Sequence, residues 1–362
     1  MHHQPRPHHH RRGADSTDAK AVTDDPFQRQ GFLTINGIRI GYHPDNGDGG
    51  GKAQDINEVN DYQGAKAFSV GLYAHVNENE AFDGAELFDV GASLLKGHSG
   101  LDPGSVDPGT VDVQKDALFN QVIESGAVLI ATVMPVLSWA GMTYDNNTQA
   151  VRIAKALRRY TGAGVVTWLR YAHEANYYNS EDCHEAPGGG PVYVGGPSNV
   201  KEGWAVVTKA IAAEAPEVKM YWSPNAGSQE SIEMYAPDDL STIDIVGVDW
   251  YPDNANASLA ESYKWLHDKY CSDEVPFTVG ETSIPQPIGY RQQHLETWTS
   301  KEEVTQLPYF KVLTWFNFNK DADGACEDGC EDQQPMYDML AGKVCVDCDQ
   351  EQVRQFFSRL SD

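Results

Sequence analysis

The sequence predicts an α/β chain folded as one (β/α)8 TIM barrel. Three observations carry this expectation. Short runs rich in Val, Ile and aromatics recur from Gly37 onward, amphipathic helical stretches lie between most of them, and polar residues gather just after the runs. Apolar strands buried on both faces and separated by helices indicate parallel β, because each crossover helix covers a sheet face. An open doubly wound sheet would carry a G-x-G-x-x-G fingerprint after its first strand, and none is found there.

Eight strands are expected in order: 38–43 (IRIGYH), 67–74 (AFSVGLYA), 127–136 (AVLIATVMPV), 165–172 (VVTWLRYA), 219–224 (KMYWSP), 244–251 (DIVGVDWY), 276–281 (PFTVGE) and 312–318 (VLTWFNF). Before the third, 116–126 puts Leu118, Phe119, Val122 and Ile123 on one helical face and stops at Gly126. The helix 149–162 ends at Gly162, 202–216 is closed by Pro216, and 258–270 opens with Ser258 and Glu261 at capping-box spacing. A last helix, 351–360, would turn Val353, Phe356, Phe357 and Leu360 inward. Long loops at 43–60, 75–115 and 177–199 all follow strands and would share one rim, which suits a cleft for an extended substrate.

Composition sets the limits. The chain has 362 residues, 40% hydrophobic and 10% aromatic, enough for a large core. Its 27 Lys+Arg against 53 Asp+Glu give a net charge of −26, so phosphate backbones and anionic headgroups would repel it and no nucleic-acid partner is expected. No run of about 18 apolar residues offers a membrane span. Residues 1–26, His-rich and without an apolar signal-peptide region, read as a disordered tail, pro-segment or tag outside a catalytic domain at 27–362.

Six cysteines, four of them at Cys326, Cys330, Cys345 and Cys348, together with sequons at Asn146 and Asn256, point to disulfides and secretion. A four-cysteine zinc site is the weaker reading of the same spacing. The segment 319–331 opens like a calcium loop but has Cys330 at the twelfth position, so a disulfide-stapled acidic loop is expected and no metal or other cofactor. His184 and His294 are assigned no role.

In a barrel, polar residues at the C-terminal ends of strands meet over the substrate. Those ends present His43, His75, Trp139, His173-Glu174, Asn225, Asp249-Trp250-Tyr251, Glu281 and Trp315-Asn317. Glu174 and Glu281 each close an apolar run, where an ionisable group needs a partner, and strands four and seven lie across the mouth from one another. Opposed carboxylates are what glycoside hydrolysis requires. Trp139, Trp222, Trp250, Tyr251 and Trp315 add aromatic faces on which sugars stack, although Trp222 and Trp168 suit a strand interior equally well.

With these motifs in order, the sequence resembles a clan A glycoside hydrolase, most closely family 26, whose best-known members are β-mannanases. "LRYAHE" supplies Arg170, His173 and Glu174, and His173 stands where most of the clan has Asn; "WSPN" (222–225), "VGVDWYP" (246–252) and "WFNF" (315–318) also look like that family. The resemblance implies a retaining double displacement, with Glu281 as nucleophile, Glu174 as acid/base, Tyr251 bonded to the nucleophile, His173 near the scissile sugar and Trp315 flooring its subsite. Trp139, Asn225, Trp250, Arg170 and His43 complete the expected substrate-binding set. The chain departs from its relatives in "EANYYN" after the acid/base, in Trp204-Ala205, and in Trp139 standing where a histidine is expected, so xylan, β-1,3- or mixed-linkage glucan and galactan stay open beside mannan. The partner expected is a polysaccharide met by a secreted monomer. A barrel that binds carbohydrate without cutting it is the competing reading, and a metal-dependent hydrolase, for which only isolated histidines are on offer, a third.

Overall fold

A computed structural model describes residues 33–46 (except 35), 53–63, 66–88 (except 79), 117–283 and 288–316. Eight parallel strands close into a barrel in sequence order. They are β1 (Arg39–His43), β2 (Ser69–Asn77), β3 (Val128–Val136), β4 (Thr167–Tyr171), β5 (Lys219–Trp222), β6 (Ile245–Asp249), β7 (Phe277–Thr282) and β8 (Phe310–Phe316). β8 pairs back onto β1 over five residues, Arg39 opposite Val312 to His43 opposite Phe316. The principal helices are α1 (Ile56–Gln63), α2 (Ala85–Phe88), α3 (Ala117–Ser125), α4 (Thr148–Gly162), α5 (Ala175–Tyr178), α6 (Pro197–Glu214), α7 (Gln229–Met234), α8 (Leu259–Tyr270), α9 (Ile288–Trp298) and α10 (Lys301–Gln306).

Side chains alternate across each strand, so the core has two parts. Inside the barrel, Phe68, Val128, Ile130, Trp168, Tyr221, Ile245 and Val312 form a plug. Between barrel and helices a larger cluster takes the outward residues, among them Leu129, Ala131, Leu169, Val246, Val248, Val279 and Leu313. Trp168 is fully buried, edge-on to Tyr221 at 6.1 Å, and so belongs to the plug. Trp168→Ala is expected to destabilise the barrel by about 3–5 kcal/mol, read from the denaturation midpoint at unchanged slope.

Several expectations need correction in detail. α3 buries Leu118 and Val122, but Ile123 is exposed and Ser125 is buried instead, its hydroxyl donating to the Val122 carbonyl at 2.7 Å. The 177–199 loop is shorter than expected, because Pro197 begins α6. α8 starts as read: the Ser258 hydroxyl accepts from the Glu261 N–H at 3.1 Å. Among the described residues Cys183, buried, and Cys271, half-buried, form no disulfide, so the two do not bridge one another. The other four cysteines, the acidic segment 319–331, the helix 351–360, the tail 1–26, Asn317 and most of the 75–115 loop lie outside the described residues. No helix among the described residues is long and apolar enough to cross a membrane.

Candidate active site

The mouth of the barrel is built from inward-facing residues at the C-terminal ends of β1, β2, β4, β6 and β7. At its centre lies Arg170, fully buried. Its Nε donates to Thr132 Oγ1 at 3.0 Å, Nη1 reaches both oxygens of Asp249 at 3.3 and 3.4 Å, and Nη2 donates to Glu281 Oε1 and to the Tyr73 hydroxyl at 3.3 Å. Glu281 gathers further donors. The Tyr73 hydroxyl donates to Oε1 and the Tyr251 hydroxyl to Oε2 at 2.6 Å, while His173 Nε2 lies 3.5 Å from Oε1.

Local backbone geometry aims these groups. The β6–β7 register shifts next to Asp249, which pairs with Glu281 after Val248 has paired with Val279. The extra residue is Gly280, and it lets Glu281 face the mouth beside Asp249. Only glycine fits there: an added Cβ would come within 2.3 Å of Asp249 Oδ1 and 2.5 Å of Ser223 Oγ. His43 donates from Nε2 to the Gly280 carbonyl at 3.1 Å. Burial, and then the Arg170 charge, lower its pKa to about 4, so at neutral pH it is a neutral brace for the bulge.

Beyond β4 the chain turns sharply, with Ala172 at φ 48° and Glu174 at φ 51° on either side of His173. The left-handed region costs a non-glycine residue about 1–2 kcal/mol, and two such residues in three mark a segment held in place by its surroundings. The Glu174 N–H donates to the Ser223 carbonyl at 2.8 Å, and the Tyr193 hydroxyl donates to the His173 carbonyl at 3.0 Å. The Glu174 side chain is buried and hydrogen-bonded to Asn225. Asn176 grips the Asn225 backbone at both its N–H (2.9 Å) and its carbonyl (2.8 Å).

The environment separates the two glutamates. Burial would raise both pKa values. For Glu281 the Arg170 guanidinium, with His173, His43 and the Tyr251 hydrogen bond, overrides burial and holds the carboxyl well below its ordinary range. For Glu174 burial wins, reinforced by the charges of Glu281 and Asp249, and its pKa is pushed well above the ordinary range. One carboxylate is kept ionised and the other protonated in a single mouth, the division that acid/base chemistry needs. Asp249 is buried, bonded to the Ser223 hydroxyl at 2.6 Å, and burial pushes its pKa up to about 8 against the pull of Arg170.

Ligand atoms of His173, Asp249 and Glu281 lie within 4.8 Å of one another, as metal ligands could. The Arg170 guanidinium donates to both carboxylates, however, and already stands where a cation would bring its charge.

Of the residues expected in the site, the structure brings together Glu174, Glu281, His173, Arg170, Tyr251, Asn225 and His43. Three tryptophans fall elsewhere. Trp315 alternates with Phe316, and it is Phe316 whose ring meets His43, Tyr73 and Tyr251 at 6.0, 6.3 and 5.9 Å. Trp315 turns outward into the helix-side core, 6.2 Å from the ring of His294, and cannot floor a subsite there. Trp250 stacks on Trp298 at 5.2 Å and meets Tyr263, both on helices. Trp139 is buried, its indole donating to the Val194 carbonyl at 2.7 Å. His294, given no role, bonds Thr282 Oγ1 at 2.9 Å just beyond Glu281. Asp249, presented at a strand end, has no role assigned from sequence, and Tyr73, Ser223 and Phe316 are not singled out there. Strand parity finds two of them, since Tyr73 is two residues before His75 and Asp249 two before Tyr251, whereas Phe316 enters through its pairing with His43.

Similar architecture occurs in solved structures. A modular endo-β-1,4-mannanase of Cellulomonas fimi, described with glycoside hydrolase family 26, superposes with a TM-score of 0.53 at 12% identity, over 91% of this chain and 71% of that one. The catalytic domain of a family 26 endo-β-1,4-mannanase from Bacillus sp. JAMB-750 gives 0.53 at 14% identity, over 90% and 86%. These neighbours establish the (β/α)8 fold. No protein-family model and no curated protein matches the chain by sequence.

Proposed function

We propose that the chain is a secreted, retaining glycoside hydrolase of the family 26 type that cleaves internal β-linkages of a mannan-like polysaccharide. The observation that carries this reading is that one mouth holds two buried glutamates in contrasting settings: Glu281 bonded by Arg170, Tyr73 and Tyr251, which favours its ionised form, and Glu174 in a buried setting that favours its protonated form. In the first step Glu281 attacks the anomeric carbon as the bond to the leaving oxygen breaks, and Glu174 gives its proton to that oxygen. In the second, Glu174, now a carboxylate, takes a proton from water; the water oxygen bonds to the anomeric carbon and Glu281 is released. Of the two Glu281 oxygens, Oε1 already serves Arg170 and Tyr73, whereas Oε2 accepts from Tyr251 and keeps a lone pair for attack. The choice of mannan leans on analogy with the structural neighbours, which are themselves endo-β-1,4-mannanases. Secretion leans on the sequons, whose asparagines, Asn146 and Asn256, are both exposed.

The test is a reducing-sugar screen of wild type and Glu281→Gln on mannan, galactomannan, xylan, mixed-linkage glucan, laminarin and galactan. Release from the two mannans that disappears in the variant is expected. Activity on another polymer alone would replace the substrate, and binding without any release would make the barrel a carbohydrate-binding protein.

A further inference from the structure

β2 carries its mouth-facing residues in alternation: Tyr73, His75 and Asn77 are half-buried, while Ala74 and Val76 between them are buried against the helices. Tyr73 touches the nucleophile candidate. His75, two residues further along the same face and about 6.6 Å nearer the rim, is held by a carboxylate that the chemistry described above does not use. Glu86 on α2 is buried and gives both oxygens to this one residue. Oε2 accepts from the His75 N–H at 2.6 Å and Oε1 from Nδ1 at 2.9 Å. A carboxylate oxygen can only accept, so the ring proton on this side sits on Nδ1 and Nε2 is the atom turned to a ligand. The His75 side chain is 32% exposed while that of Glu86 is 3% exposed, a buried anchor under an accessible ring.

The pair is not needed to dock α2. Leu87 and Phe88 are buried, Phe88 stacks on Tyr160 at 5.3 Å with the Arg159 guanidinium 3.9 Å from its ring, and the Tyr160 hydroxyl donates to the Leu87 carbonyl. A buried carboxylate that holds both the backbone N–H and the ring of one histidine at the lip of a cleft is an arrangement by which binding sites fix a polar contact.

We infer that His75, oriented by Glu86, is a substrate-binding residue that hydrogen-bonds a sugar hydroxyl on the glycone side of the scissile bond. This rests on the hydrolase reading, since Tyr73 places the β2 face beside Glu281, the group that would bond to the glycone sugar.

The experiment compares wild type, His75→Ala, Glu86→Gln and the double variant on β-mannan and on an aryl β-manno-oligosaccharide, whose aryl group alone fills the leaving side. His75→Ala is expected to lower kcat/KM about 10- to 100-fold on both substrates, chiefly through KM. Glu86→Gln should lose less, and the double variant should lose no more than His75→Ala, because Glu86 acts through His75. A loss on the polymer alone would put His75 on the leaving side and overturn the inference. So would an unchanged kcat/KM, or additive losses accompanied by a lower melting temperature, which mark a structural pair. Glu281→Gln runs as the control: wild type silent on both substrates refutes the mannan-cleaving reading and this inference with it, whereas an active wild type with an unaffected His75→Ala refutes only this one.

Discussion

Glu281→Ala is expected to lower kcat on the active polymer by about ten-thousand-fold or more, and azide is expected to restore turnover of an activated aryl glycoside as a glycosyl azide of inverted configuration. Glu174→Ala should behave in the opposite way. With a good leaving group its first step survives, the glycosyl-enzyme accumulates, and azide releases it with retained configuration. The prediction follows from position as well as charge. Glu281 has hydrogen bonds from Arg170, Tyr73 and Tyr251 that keep it ionised, as a nucleophile must be, while Glu174 has mainly burial and two nearby negative charges, which keep its proton on. The pH profile of kcat/KM should follow suit. Activity requires ionised Glu281 and protonated Glu174, so the acid limb should fall well below the ordinary carboxylate range and the alkaline limb well above it. Glu174→Gln, assayed with an activated aryl glycoside, should lose the alkaline limb and keep the acid one. Azide products with the two configurations exchanged would reverse the roles of the glutamates.

How much of this was legible beforehand depended on what each residue's position required. The barrel followed from apolar runs at strand length with helices between them, and all eight runs overlap the strands that form. Glu174 and Glu281 stood out because a carboxylate that closes an apolar strand must find partners. The partners were harder to see. Tyr73 sits inside a run that reads as core, and only strand parity shows that it faces the same interior as Glu281. The tryptophans were misplaced for the same reason: Trp315 and Phe316 are neighbours, and which one enters the mouth depends on pairing with β1, a property of register that residue type does not reveal. The Gly280 bulge belongs to this class, since nothing in "FTVGET" announces that one residue is left over between β6 and β7.

Arg170→Met offers the second large effect, because one side chain joins two consequences that are usually separable. Arg170 is fully buried and bonded to Thr132, Asp249, Glu281 and Tyr73. Removing it leaves Asp249 and Glu281 buried without their counter-charge, and breaking a buried pair from one side destabilises by about 3–5 kcal/mol. The catalytic effect has a definite sign. Burial pushes the Glu281 pKa up and Arg170 is the largest influence holding it down, so without the guanidinium Glu281 recovers its preference for the neutral form. The acid limb should therefore move to higher pH, and kcat/KM should be lost first at the low-pH end where wild type is still active. Arg170→Lys keeps a charge but cannot fork between two carboxylates, so it should fold more readily than the Met variant and show a smaller shift of the same limb. If the methionine variant folds and its acid limb stays at the wild-type position, ionisation of Glu281 does not depend on Arg170, and the division of labour between the two glutamates needs another physical cause.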